Sequence, residues 1–381
     1  MLAAGCASDE PMSVRMVRSE MQRCPEASWL DGLEGKLKWN YTTGLELLSF
    51  VDVFEAYGDS SVLNYVSDWY DGIIDSAGTI YGYKLSKHNQ DHVCPGRTLL
   101  SLQRIAPRPK YEVAIDTLRS QIATQPRTDQ GGFWHKSIYP DQMWLDGLYM
   151  LEPFYAQVSA SIADEGERRA AFDDIALQFD LAFDGCFDPQ TGLLRHAFDR
   201  SRTIFWADSL TGQSAHCWGR ALGWYSMALV DVLDWFPEEY DGHGDLLEKL
   251  RHILGLLPDF ADPETGMWHQ VLDSPGREGN YLEATCSAMF TYVYLKSVRL
   301  GYIPSDRRDY VRHLYESFLD VFVTCDEQGS VTIHDCCAVA GLGGKEMRSG
   351  TFEYYVNEKI IDNDCKGVGP FIWASLEYER Q

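Results

Sequence analysis

The chain has 381 residues, 45% hydrophobic and 13% aromatic, with a formal net charge of −24. That length and apolar content supply a large core, and no low-complexity linker divides it. The acidity, with no basic run or stripe to neutralise phosphates, excludes nucleic acid as a partner, and no window approaches the length of a membrane-spanning helix. An anionic small ligand stays compatible, provided local Arg, Lys, His or hydroxyl groups hold it against the wider field.

The chain opens Met1-Leu2-Ala3-Ala4-Gly5-Cys6, followed by a polar stretch. Small residues running to a cysteine look like the end of a bacterial lipoprotein signal, but the charged start and apolar core are missing. A truncated start and a chance match both fit, so lipidation of Cys6 and the compartment, cytoplasm or periplasm, stay open. Residues 1–12 read as a tail and 13–381 as one domain. A helix is expected over Ser13 to Gln22. Helices led by a polar or aromatic motif start near Trp39, Pro95, Asp141, Ser214, Asn280 and Gly367. An ordinary amphipathic helix follows each of the first five: Ser61 to Asp71, Lys110 to Ala123, Gly166 to Phe183, Gly244 to Leu257 and Asp306 to Val323. The N-terminal helix partners the sixth. About six pairs spaced by roughly 45–75 residues are a helical-repeat signature. Closing them into a ring hides the faces that an open array leaves bare. The expected fold is therefore all-α, an (α/α)6 barrel of six inner and six outer helices.

The unusual residues lie before or within the first turns of the inner helices, which places them on one rim. Helix N-termini converging there favour anionic ligands. In GGFWHKSIYPDQMWLDGLYM (131–150), a helix running through Met150 puts Asp146 on a face with Met143, Tyr149 and Met150. Dehydration on such a face raises a carboxylate's pKa toward the range useful for proton transfer. A structural carboxylate, capping a neighbour or paired to an Arg, fits the segment equally. Asp91 precedes a Pro-Gly turn and reads either as a helix cap or, on the same rim as Asp146, as its partner; two nearby carboxylates raise the pKa of one of them. In SAHCWGRALGWYSMALVDVLDWF (214–236), His216, Arg220 and Trp224 fall at i, i+4 and i+8, one helical stripe. Gly219 and Gly223 flank it and leave room for a ligand, while Arg and Trp suit the oxygens and the face of a charged sugar. A core Trp beside a salt-bridged Arg is the alternative. His196 and Trp206 occupy a hairpin-like loop within reach of the rim. The ten cysteines read as small buried hydrophobes, not a disulfide framework. His334-Asp335-Cys336-Cys337 lacks zinc spacing and Asp362-Asn363-Asp364 lacks calcium-loop spacing, so no metal or cofactor is expected.

Seven stretches carry a resemblance over nearly the whole chain: KWNYTTGLELLSF (38–50), DHVCPGR (91–97), the long segment 125–156, HCWGRALGWY (216–225), YLEATCSAMFTY (281–292), AGLGG with RSGTFEYYV (340–356) and KGVGPFIWASLE (366–377). They resemble glycoside hydrolase family 105, the unsaturated rhamnogalacturonyl hydrolases, kin of the unsaturated glucuronyl hydrolases. The resemblance implies the (α/α)6 barrel and an oligosaccharide substrate whose terminal uronic acid carries a C4=C5 double bond. It implies hydration of that vinyl ether: Asp146 donates a proton to C4 and activates the water that attacks C5, and the hemiketal collapses to free the neighbouring sugar. Asp91 would hold ring hydroxyls and tune Asp146; His196 would help hold substrate; His135, Arg220 and Trp224 would line the pocket. Tyr41 and His216, from the rim and stripe patterns, complete the expected substrate-binding set. WGRALGW departs from the family's usual WARGNGW, with Ala221 and Leu222 replacing Gly-Asn, which puts the aglycone preference in doubt. An unsaturated glucuronyl hydrolase acting on another polyanion, and a non-catalytic carbohydrate-binding toroid, are the alternatives. Oligomeric state is not legible.

Overall fold

The computed structural model describes residues 9–381; the residues around Cys6, including the lipoprotein-like start, lie outside the described residues. Helices dominate. The inner set is α2 (Tyr41–Tyr57), α4 (Gly96–Ile105), α6 (Leu145–Ser159), α8 (Gly219–Val232), α10 (Ala284–Arg299) and α13 (Cys365–Glu379). The outer set is α1 (Met12–Arg23), α3 (Ser60–Ile73), α5 (Pro109–Thr124), α7 (Glu165–Cys186), α9 (Asp241–Leu256) and α11 (Arg308–Phe322). Each inner helix packs on the next, and α13 returns to α2, so the ring closes as an (α/α)6 barrel. The ends of the chain seal it: Ser13 on α1 donates from its N and Oγ to the Glu379 carboxylate of α13 at 2.9 and 2.6 Å.

The two sets differ as their environments require. Every residue of α8 is buried, as is every residue of α10 except its last, because inner helices touch protein all round. α11 buries only Val311, Leu314, Tyr315, Phe318 and Phe322, the stripe of an amphipathic outer helix. Gly219 and Gly223 are packing residues, not spaces for a ligand. A Cβ on Gly219 would meet Cys286 Sγ at 2.9 Å, and one on Gly223 would meet Met289 Sδ at 2.6 Å, both on α10.

The inner helices start later than the sequence suggests at three places. Residues 214–218, 280–283 and 141–144 are not helical, because parts of them pair across the rim: Trp218 with Val271, His269 with Leu282, and β1 (Gln142–Trp144) antiparallel to β2 (Ala197–Asp199). Two further short antiparallel ladders, β3 (Val323–Cys325) with β4 (Val331–Ile333) and β5 (Cys336–Cys337) with β6 (Ile360–Ile361), stiffen the C-terminal part. A single-turn helix, α12 (Phe352–Val356), precedes β6. Eight cysteines are free thiols, all buried except half-buried Cys24; Cys325 is disulfide-bonded and departs from the expected pattern.

Candidate active site

The site is assembled by the rim pairing. Register places Trp144 opposite Ala197, and the Leu145 N–H donates to the His196 carbonyl at 3.1 Å. This brings His196 against Asp146, far apart in sequence. His196 Nε2 stands 3.0 Å from Asp146 Oδ2, poorly aligned for a hydrogen bond, so the contact is chiefly one of charge. On the far side of the imidazole, Nδ1 meets the Tyr355 hydroxyl at 2.7 Å. His196 is fully buried under Trp218 at 4.7 Å and the edge of Trp144 at 5.4 Å. The histidine of the hairpin-like loop is thus locked in place.

Asp91 sits in a short turn before α4 and caps nothing; α4 starts after Pro95 without a side-chain cap. Lys136 Nζ binds Asp91 Oδ2 at 2.5 Å, and His135 Nε2 lies 3.6 Å from Oδ1. His135 stacks on Trp144 at 4.6 Å, and Trp144 on Tyr139 at 5.0 Å. Gln90 Oε1 accepts from His135 Nδ1 at 3.3 Å.

Both carboxyls titrate below their ordinary value, contrary to the rise expected from dehydration and mutual repulsion. Burial does push Asp146 up, but His196, by charge and contact, and then His135 outweigh it. Burial pushes Asp91 up as well, and the Lys136 ammonium followed by His135 reverses it. His135 itself is driven down to about 4 by burial and by Lys136, with Asp91 and Asp146 opposing. At neutral pH the resting site therefore holds two carboxylates and a neutral His135.

Met143 belongs to β1 and does not share Asp146's helix. The stripe His216–Arg220–Trp224 is not one stripe, because α8 begins at Gly219. His216 precedes it and turns its Nδ1 to Asp273 Oδ2 at 3.0 Å. Arg220 is buried with its guanidinium 4.6 Å above the Trp218 ring, Nη1 donating to the Cys337 carbonyl and Nε unpartnered. Trp224 is 1% exposed, with Tyr149 at 4.8 Å and Tyr41 at 6.3 Å on its ring. It supports the floor and offers no face to a sugar. Tyr41 does line the cavity, about 370 Å³, together with Trp39, Asp91, His92, Val339 and Lys366.

Sequence reasoning missed Lys136, Tyr355, Trp144 and Lys366. Lys136 and Tyr355 lie inside GFWHK and RSGTFEYYV, so motif membership was the available signal. Lys366 opens α13 and is held by Asp364 at 2.7 Å. Trp206 packs with Tyr139, Trp144 and Leu342 in a small cluster above the barrel core. Asp362 stands 3.0 Å from His334, so both acids of Asp362-Asn363-Asp364 already have basic neighbours. Among the described residues no three His, Cys, Asp or Glu are grouped to hold an ion, and no helix is long and apolar enough to cross a membrane.

Asp91 with His135, and Asp146 with His196, thus gather at the N-terminal ends of the inner helices, joined through the Trp144 ring. The model of Glycosyl Hydrolase Family 88 matches residues 12–381; the chain belongs to this family and is a glycoside hydrolase. A family 105 glycoside hydrolase from C. acetobutylicum ATCC 824 is 40% identical, with 98% of this chain and 100% of that chain covered at a TM-score of 0.92. The unsaturated rhamnogalacturonyl hydrolase YesR of Bacillus subtilis is 25% identical over 77% of this chain and 78% of that protein. The unsaturated glucuronyl hydrolase of Bacillus sp. GL1 shares the fold at 14% identity, with a TM-score of 0.68 over 97% of this chain and 95% of that one.

Proposed function

We propose that the protein removes a 4,5-unsaturated uronic acid from the non-reducing end of lyase-generated oligosaccharides by hydrating the C4=C5 vinyl ether. The observation that carries this is Asp146 held at 3.0 Å from a buried His196. A substrate carboxylate bound beside Asp146 adds like charge and excludes water, and both raise the proton affinity of Asp146. Asp146, so raised, takes up a proton from solvent and delivers it to C4. Water adds at C5 and returns a proton to Asp146, so the pair is restored. The hemiketal opens and the neighbouring sugar leaves. Tyr355 holds the His196 ring, and Asp91, fixed by Lys136, takes ring hydroxyls. Arg220, fully buried against the Trp218 ring and the Cys337 carbonyl, adds positive charge behind Tyr41 without reaching the cavity surface. The likeness to YesR supports unsaturated galacturonyl-rhamnose from rhamnogalacturonan as the substrate.

The test is a panel of lyase products from rhamnogalacturonan, homogalacturonan, glycosaminoglycans and ulvan, followed by ultraviolet absorbance of the enol ether. The expected result is loss of absorbance with release of a saccharide, fastest on galacturonyl-rhamnose. Binding with no loss on any product would favour a non-catalytic toroid.

A further inference from the structure

The end of the barrel away from the active site holds a second cavity, about 260 Å³, which all six inner helices line. Asp52 and Glu55 of α2, Asp231 of α8, Lys296 and Arg299 of α10 and Glu377 of α13 all belong to the C-terminal parts of their helices. The carbonyl ends of those helices favour positive charge there. The hydration chemistry uses none of these residues. The floor of the active site lies between the two: Arg97 Nη1 donates to the Tyr149 hydroxyl at 2.8 Å, and Tyr149 packs under Trp224 at 4.8 Å.

The ion pairs of this cavity leave one carboxylate over. Arg97 Nη2 binds Asp231 Oδ2 at 2.9 Å, and Lys296 Nζ reaches Asp231 at 2.8 Å and Asp234 at 2.6 Å. Arg104 is paired with Glu55, and Arg299 and Arg380 with Glu377. Every cation lining the cavity is thereby committed. Among the described residues, Asp52 has no Arg, Lys or His within ion-pair reach; its Oδ2 accepts from Trp373 Nε1 at 2.6 Å, and its Oδ1 carries no hydrogen bond. Burial, with Glu55 and Asp231 adding, pushes this carboxyl up to about 6, against Trp373 and Arg97. A carboxylate that loses water and gains no cation is held at a cost, which a cationic ligand would relieve. Trp235, 41% exposed, lines the same cavity and offers an indole face, the surface that attracts an ammonium.

We propose that this cavity is a second binding site, for a small organic cation whose ammonium is held by Asp52 and whose apolar body lies against Trp235. The site is separate from the active site and is indifferent to which saccharide the enzyme cleaves.

The test uses n-butylammonium chloride as the probe on the full chain, followed by titration calorimetry and by thermal melting at pH 7.5. Butanol and KCl of equal ionic strength are the controls. One charge-assisted contact and one cation–π contact predict a Kd of about 1 mM, and the melting point should rise by about 2 °C at a twentyfold excess over Kd. Neither control should do this. Asp52→Asn, which keeps an acceptor for Trp373, should weaken binding at least about tenfold, and Trp235→Ala by about two- to fivefold. Both variants should consume the enol ether as the parent does. At pH 6 binding should release about half a proton, read from the dependence of the heat on buffer ionisation. No binding, an equal response to KCl, or an Asp52→Asn protein that binds like the parent overturns the proposal. So does competition between the probe and substrate, which would put the cation in the active site. If Asp52→Asn fails to fold, unweakened binding by Trp235→Ala, altered at an exposed side chain, overturns it instead.

Discussion

Gly147 follows Asp146 in the first turn of α6, and a Cβ there would lie 2.0 Å from Gln90 Oε1 and 3.0 Å from His135 Nδ1. Gly147→Ala sets two terms against each other. Alanine gains about 1 kcal/mol of helix propensity. Gln90, the end of a flexible side chain, must swing away, and its 3.3 Å bond to His135 is lost. Leaving that buried N–H unpaired costs about 1–3 kcal/mol. The balance is a destabilisation of about 0–2 kcal/mol; at about 2.1 cal/mol/K of unfolding entropy per residue, the melting point moves by no more than about 3 °C. The site should suffer more than the fold. His135 stands 3.6 Å from Asp91 and stacks on Trp144 at 4.6 Å, and a displacement of about 1 Å in such a constellation costs about 10²-fold. Decay of the enol ether absorbance gives kcat/KM, and scanning calorimetry gives the melting point. Gly223→Ala is the control: its Cβ would meet Met289 Sδ at 2.6 Å between α8 and α10, so it should lower the melting point with kcat/KM per folded molecule largely kept. A Gly147→Ala protein that folds normally and keeps kcat/KM within about threefold would refute the role given to His135 and Gln90.

Trp224→Ala should cost about 3–5 kcal/mol as a buried truncation, a melting point lower by roughly 4–6 °C, with KM unchanged in the surviving fraction; a changed KM at normal stability would put its ring against substrate. In Lys136→Ala, burial is left to dominate Asp91, whose carboxyl must rise, so the acid limb of kcat/KM against pH should move upward. The sign for stability agrees: a depressed Asp91 stabilises above its unfolded pKa and loses that contribution as pH falls through its folded value, so removing Lys136 moves the loss to higher pH. A pH profile that superimposes on the parent's would refute the pairing. Activity should survive dialysis against a strong chelator, because the proposed steps move only protons and water; an ion-reversible loss would contradict this.

The ring was legible because twelve helices announce themselves in pairs, polar-aromatic motif first and amphipathic stripe second. Their starts were not, because residues such as 214–218 carry the apolar content of a helix yet spend their backbone on bridges to residues distant in sequence. That error produced the false stripe through His216 and left Trp224 looking like a sugar platform when it is floor. The apolar neighbours of Asp146 were visible and suggested a raised pKa. The group that reverses the sign, His196, is delivered by the β1–β2 ladder, which three-residue strands barely signal. Lys136 was next to His135 all along, and nothing local says that it reaches back to Asp91.

The central claim is that the double bond of the substrate, not the glycosidic bond, is attacked first, with Asp146 supplying the proton. Turnover in D2O tests it directly, with early product analysed by mass spectrometry and NMR. The account predicts one deuterium at C4 of the released uronate and concurrent loss of the enol ether absorbance, and a rate about 10²–10⁴-fold lower in Asp146→Asn with the fold retained. Release of the neighbouring sugar with the double bond still present, or Asp146→Asn turnover within a few-fold of the parent, would contradict it.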